Sequence, residues 1–154
     1  ASYYLCAKAD LLYIKALEKK QMGAKNEANE LLDKVVSLLR QADKLLLSHP
    51  LHRLDRWVGQ ARNCGQSVVE KDFYEANAKR LITTWGGIQE DYAARTWSGL
   101  IKDYYIPRLQ LYFSDKNLDN WEEKWITTPW HNTTEAFQEP LDEAVKLVRN
   151  AVAL

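Results

Sequence analysis

Three histidines, two cysteines and 21 acidic residues are the side chains of this 154-residue chain from which metal, nucleophile or acid–base chemistry could be built. His49 and His52 stand three apart across Pro50. Neither they nor His131 has a Cys, Asp or Glu at metal-ligand spacing, and a zinc site wants three or four converging ligands. They read as surface or capping histidines. Cys6 and Cys64 read as two free, half-buried thiols, or as a single bridge if the chain is exported. No Gly-x-Ser-x-Gly string supports a nucleophilic serine. Gly86 and Gly87 follow no strand and precede no Lys-Ser/Thr pair, so they form no phosphate loop. The carboxylates spread over polar helix faces, where solvated charge is the default. The residue types therefore offer no catalytic pair, no metal site and no cofactor.

What is unusual is aromatic. Between Phe73 and Phe113 lie two Trp, five Tyr and two Phe. The same stretch carries Asp91, Arg95, Asp103 and Arg108. Most of these rings fit a packed core with hydroxyls satisfied at its edge, and Trp57, Phe73, Trp97 and Tyr104 are expected there. Trp85 fits less well. It closes a helix beside Gly86-Gly87, placed to look out of a corner. Exposed Trp and Tyr beside Asp and Arg resemble the wall of a ligand cleft, and sugars are flat, polar partners for such rings.

The elements that would position these residues are helices. Leu5, Ala9, Leu12, Ala16 and Leu17 step by threes and fours over 2–22, with Gly23 as the stop. Leu31, Val35, Leu38, Ala42, Leu45 and Leu46 form the stripe of a helix over 24–47, ended by Ser48-His49-Pro50. A third helix spans 51–63, with Leu54, Trp57, Val58 and Ala61 inward and Gly65 closing it. Ser67 and Glu70 form a capping box for a fourth, which carries Phe73, Asn77, Leu81 and Thr84 and reaches Trp85. A fifth starts at Asp91 as N-cap and runs through Trp97, Leu100, Ile101, Tyr104, Arg108 and Leu111. Pro107 should kink it or end it early. A short helix around 121–125 is capped by Asp119 or Asn120, and 127–134 is a loop. Pro140 opens the last helix, with Leu141, Val145, Val148 and Val152 inward. No strand pattern appears. The fold class is all-α: six to seven helices in a mostly antiparallel bundle, one domain over 1–154.

Charge and length narrow the function. Lys plus Arg number 21 against 21 Asp plus Glu; a nucleic-acid partner would want a basic surplus. No apolar run approaches the roughly 20 residues of a membrane span. A (β/α)₈ barrel takes about 250 residues and does not fit.

Four strings then carry a resemblance: Phe73-Tyr74-Glu75-Ala76-Asn77-Ala78; Thr83-Thr84-Trp85-Gly86; Asp91-Tyr92-Ala93-Ala94-Arg95-Thr96-Trp97-Ser98-Gly99-Leu100; and Asp103-Tyr104-Tyr105-Ile106-Pro107-Arg108. Together they closely resemble the C-terminal helical domain of the α-N-acetylglucosaminidases, glycoside hydrolase family 89. The match is specific over 73–113 and collinear but weaker over 31–65. The resemblance implies a fragment of a larger enzyme, inactive alone, packed against a (β/α)₈ catalytic barrel. That barrel would carry both carboxyl groups of a retaining hydrolysis of terminal α-linked N-acetylglucosamine. Trp85 and the loop through Gly86, Gly87 and Asp91 match the cleft-side motif, and Tyr92 and Arg95 would stand near that wall. Trp97, Tyr104, Tyr105, Pro107 and Arg108 would be structural, Arg108 pairing with Asp103 or with a barrel carboxylate. The family implies a secreted, periplasmic or lysosomal-type location. An excised domain would expose its barrel-facing side and could dimerise through it.

Two competing readings remain. The alternative is that the aromatic surplus, including Trp121, Trp125 and Trp130, serves an autonomous carbohydrate-binding or protein-interaction bundle. A purely structural scaffold, whose exposed apolar patch is simply the barrel contact, is the third.

Overall fold

Gly23, with φ of +79°, ends the first helix. The chain then folds back over three residues, so α1 (Ser2–Gln21) and α2 (Lys25–Leu46) form an antiparallel hairpin. Ala16 meets Ala28 near the turn. Leu5, Ala9 and Leu12 pack with Val35, Leu38, Ala42 and Leu46 further out. The computed structural model describes residues 1–85 and 94–154. Over these it is all-α, as the periodicity predicts. The other helices are α3 (Leu54–Arg62), α4 (Val68–Arg80), α5 (Ile106–Phe113), α6 (Asp119–Thr127) and α7 (Pro140–Val152), with a π-helical turn, Ile101–Tyr105, leading into α5.

A second core lies between α3, α4 and the start of the α5 segment. Leu54, Val58, Ile82, Leu100 and Tyr104 fill it, ringed by half-buried Trp57, Trp97, Trp121, Trp125 and Trp130. Tyr104 is wholly enclosed, its ring 4.8 Å from Trp125 and 5.5 Å from Trp121. Trp57 donates its indole N–H to the Ala78 carbonyl at 2.8 Å, joining α3 to α4. Between these helices, a Cβ on Gly65 would lie 2.6 Å from the Lys71 nitrogen. Gly65 is thus required by close approach; α3 itself ends earlier, at Arg62. The Ser67–Glu70 capping box forms in both directions.

Several local expectations are corrected. Residues 94–97 are neither helix nor strand, so the expected helix is not continuous through them; its expected cap, Asp91, lies outside the described residues. The segment instead meets the corner before α3. Ser98 donates its N–H to the His52 carbonyl and accepts from the Leu54 N–H, each at 2.9 Å, making a lone parallel bridge between Arg53 and Ser98. That pairing also delays α3 from Leu51 to Leu54. Pro107 neither ends nor breaks its helix. The preceding turn widens so that the Ile106 N–H reaches the Ile101 carbonyl five residues back. The wider turn makes room for a ring that would otherwise clash one turn back.

α6 begins at Asp119, its N–H held at 2.8 Å by the Asn117 side chain, so neither Asp119 nor Asn120 is the cap. In α7 the inward residues are Leu147 and Ala151, while Leu141, Val145 and Val152 are exposed. The helix carries two apolar stripes, and its neighbours cover only one. Both thiols are free; Cys6 is half-buried and Cys64 exposed. Burial, with Asp10 and Asp43 nearby, pushes the Cys6 thiol up to about 11.

Gly99 has φ of +87°, and a Cβ there would sit 2.5 Å from Cζ2 of Trp130. Gly99→Ala is therefore expected to cost about 1–2 kcal/mol from the left-handed backbone alone, and more from the displaced indole. Urea unfolding of the two proteins measures it; an unchanged midpoint would contradict this packing.

Candidate functional site

α4 is built inside out. Two of its charged residues, Glu75 and Lys79, face inward, 1% and 0% exposed, while Phe73 on the outer side is 61% exposed. Val68, Val69, Tyr74 and Leu81 are exposed with it. Phe73 and Tyr74 lie edge to face, 5.7 Å between ring centres. Phe73 is thus corrected from core to surface. Trp57, Trp97 and Tyr104 do pack where their type predicts.

The inward pair explains the inversion. Lys79 Nζ lies 2.8 Å from Glu75 Oε1 and donates to the Thr128 carbonyl at 2.5 Å and the Trp125 carbonyl at 3.3 Å. Glu75 also accepts from the Trp130 backbone N–H at 2.6 Å and from Arg62 at 2.7 Å. Arg62 reaches Asp72 as well, at 2.7 Å. Charges buried this deeply hold only when every partner is present. Here they clamp the 125–130 segment onto α4 and fix which side of the helix faces out. Burial pulls the Lys79 ammonium below its ordinary value despite Glu75. Burial also pushes the Glu75 carboxyl up, but the bonds from Lys79, Trp130 and Arg62 outweigh it and hold it below the usual range.

Stability linked to Glu75 is accordingly complete above the unfolded carboxylate value of 4.5 and lost as pH falls through the lower folded value. The difference in Tm between wild type and Glu75→Gln is expected to shrink between about pH 6 and about pH 3. A gap that stays constant with pH would contradict this.

Trp85 stands where α4 runs out. The α-helix ends at Arg80 and the chain turns through 81–85, short of the continuous helix to Trp85 that the pattern predicts. The Trp85 N–H donates to the Arg80 carbonyl at 2.7 Å. Its φ is +59°, a left-handed conformation that a bulky side chain adopts only under constraint. Trp85 is 46% exposed, in the turn that follows the helix presenting Phe73 and Tyr74.

Of the other cleft residues, Asp91 and Tyr92 lie outside the described residues, as do Gly86 and Gly87. Arg95 is exposed. Its carbonyl accepts from the Tyr105 hydroxyl at 2.9 Å and its guanidinium lies 5.9 Å from the Trp97 ring centre. It stands between two clefts. One, of about 500 Å³, is lined by His49, His52 and Trp97; the other, of about 300 Å³, by Cys6, Asp10 and Arg108. Trp85 lines neither.

Arg108 pairs with Glu122 at 2.9 Å, not with Asp103. Glu122 also accepts from the Tyr104 hydroxyl at 2.7 Å, while Asp103 accepts from the Trp130 indole at 2.8 Å. With Trp121, Trp125 and Trp130 packed around Tyr104, the aromatic surplus that motivated an autonomous sugar-binding bundle is largely spent inside.

Sequence reasoning misses Glu75, Lys79 and Asp43. An i,i+4 Glu–Lys pair normally marks a solvated face, and the groups that bury this one lie some fifty residues away. Asp43 is fully enclosed on α2. It accepts from the Gly99 N–H at 2.7 Å, the Lys102 N–H at 3.1 Å, Ser98 Oγ at 3.3 Å and Thr134 Oγ1 at 3.2 Å. Burial holds its carboxyl above the usual range even so.

The sequence matches, over residues 3–150, the family model described as Alpha-N-acetylglucosaminidase (NAGLU) C-terminal domain. A human protein, Alpha-N-acetylglucosaminidase, is 40% identical over 77 residues, covering 49% of this chain and 10% of its own length. A family 89 glycoside hydrolase from Clostridium perfringens, solved in complex with PUGNAc, superposes with a TM-score of 0.81 over 98% of this chain and 20% of its own, at 24% identity. The same family's structure with 2-acetamido-1,2-dideoxynojirmycin gives a TM-score of 0.78 over 99% and 20%, at 25% identity. The chain thus spans a tenth to a fifth of the proteins it is similar to.

Proposed function

The chain belongs to the family of α-N-acetylglucosaminidase C-terminal domains, and from that premise we propose that it is the helical domain of a retaining α-N-acetylglucosaminidase, packed on a (β/α)₈ catalytic domain and walling its cleft. The observation that carries this reading is the inverted α4. Val69, Phe73 and Tyr74 are turned outward by a buried ion pair, and the turn that ends the helix carries exposed Leu81 and Trp85. Burying a side chain such as Phe73 recovers about 1.5–3 kcal/mol, so the exposed face favours a covering partner. The greater length of the proteins it resembles supplies one.

In this reading Trp85 lays its ring on the apolar face of a terminal α-linked N-acetylglucosamine and keeps water from the glycosidic bond. Asp91, Tyr92 and Arg95 offer hydrogen bonds to its hydroxyls. The two catalytic carboxyl groups belong to the barrel, so the chain alone turns over nothing. The reading groups the enzyme with secreted, periplasmic or lysosomal-type hydrolases. No helix among the described residues is long and apolar enough to cross a membrane.

The test is an assay of the chain and of the full-length enzyme on an aryl α-N-acetylglucosaminide. Turnover is expected only from the full-length enzyme; turnover by the chain alone would overturn the division of labour. Sedimentation velocity reports on the exposed face. The excised chain is expected to self-associate with rising concentration, and Phe73→Asp to abolish this.

A further inference from the structure

We propose that Asp43 is a positioning residue for the cleft wall, setting where Arg95 stands. The proposal rests on the cleft-wall reading above and adds a residue that reading does not contain. Asp43 sits within α2, the longest helix, which is anchored along its length against α1. Its carboxylate accepts from the Gly99 and Lys102 N–H groups, at the start of the helical stretch that leads through the π-helical turn into α5, and from the Ser98 and Thr134 hydroxyls.

A helix start left without a local cap needs such acceptors, and here they come from another helix. The consequence reaches upstream. Residues 94–97 form no helix or strand, so their course is set by what holds their end. That end is Ser98, fixed by Asp43 through its hydroxyl and by the bridge to the His52–Leu54 corner through its backbone. Arg95 lies three residues before this anchor. Its further tethers are the Tyr105 hydroxyl on its carbonyl and the Trp97 ring beside its guanidinium, and both residues flank the segment that Asp43 caps. Releasing Gly99 and Ser98 therefore moves Arg95 without touching it.

The test is a double-mutant cycle in the full-length enzyme, read as kcat and KM on an aryl α-N-acetylglucosaminide. Displacing a positioned group by about 1 Å can cost on the order of a hundredfold in rate. Asp43→Ala and Arg95→Ala are each expected to lower kcat/KM by roughly tenfold to a hundredfold. In the Arg95→Ala background, Asp43→Ala is expected to add little. Asp43→Asn keeps an acceptor for Gly99 and Lys102 and an amide for the two hydroxyls, and is expected to recover most of the loss. Should Asp43→Ala not fold, Ser98→Ala, which removes one bond and keeps the carboxylate, carries the same cycle with a smaller effect. Full additivity of either variant with Arg95→Ala would overturn the proposal while leaving the cleft wall intact. Trp85→Ala and Arg95→Ala both without effect would overturn the cleft wall and, with it, this role.

Discussion

Lys79→Ala is expected to destabilise the chain by about 3–5 kcal/mol, the usual cost of removing one partner from a buried ion pair. For a domain of this size that lowers Tm by roughly 6–20 °C. Glu75 stays buried with its charge, balanced only by Arg62, which is partly exposed and shared with Asp72. The Thr128 and Trp125 carbonyls lose the ammonium that holds them. The 125–130 segment then loses a tie to α4, and Trp130, which closes over Gly99, loosens with it. Differential scanning calorimetry measures the loss. A cost below about 1 kcal/mol would place the pair among exposed ion pairs and contradict its burial.

At Trp85 two substitutions separate activity from stability. Trp85→Ala in the full-length enzyme is expected to lower kcat/KM by about thirtyfold or more, the equivalent of losing one aromatic anchor worth about 2 kcal/mol. Trp85→Gly is expected to lose activity to the same extent. The two differ in the backbone. Both remove the indole, but glycine accepts a φ of +59° and alanine does not, so the glycine variant should be more stable than the alanine one by about 1 kcal/mol. Equal stabilities would indicate that the left-handed turn relaxes once the ring is gone. Unchanged kinetics would remove Trp85 from the cleft wall.

Much of the scaffold is legible in the sequence because its causes are local. The α2 stripe from Val35 to Leu46, the Gly23 stop and the Ser67–Glu70 box each depend on residues within a turn or two. What is not legible depends on distant partners. Phe73 reads as core by its type, and only the burial of Glu75 and Lys79 by the 125–130 segment turns it outward. The helix read as starting at an Asp91 cap is capped instead by Asp43, which accepts from the Gly99 and Lys102 N–H groups more than fifty residues later in the chain. α7 offers two apolar stripes, and spacing alone does not say which one its neighbours cover. At the candidate site, Trp85 is legible as a corner residue from the glycines after it, but its left-handed backbone is not. The partner of Arg108 required the fold, since Asp103 is nearer in sequence than Glu122 and is engaged by Trp130.

The placement of Asp43 also bears on the order in which the chain folds. The α1–α2 hairpin closes over a three-residue turn at little loop entropy, and such local contacts form early. In a finished hairpin Asp43 lies near Cys6 of α1 but still lacks its four hydrogen-bond partners, Ser98, Gly99, Lys102 and Thr134. A carboxylate is costly to bury unsatisfied, so the later segments gain by docking only in the register that brings Gly99 and Lys102 onto it. A register slip of one residue would strand the charge, and the hairpin thereby acts as a template that proofreads the second half of the fold.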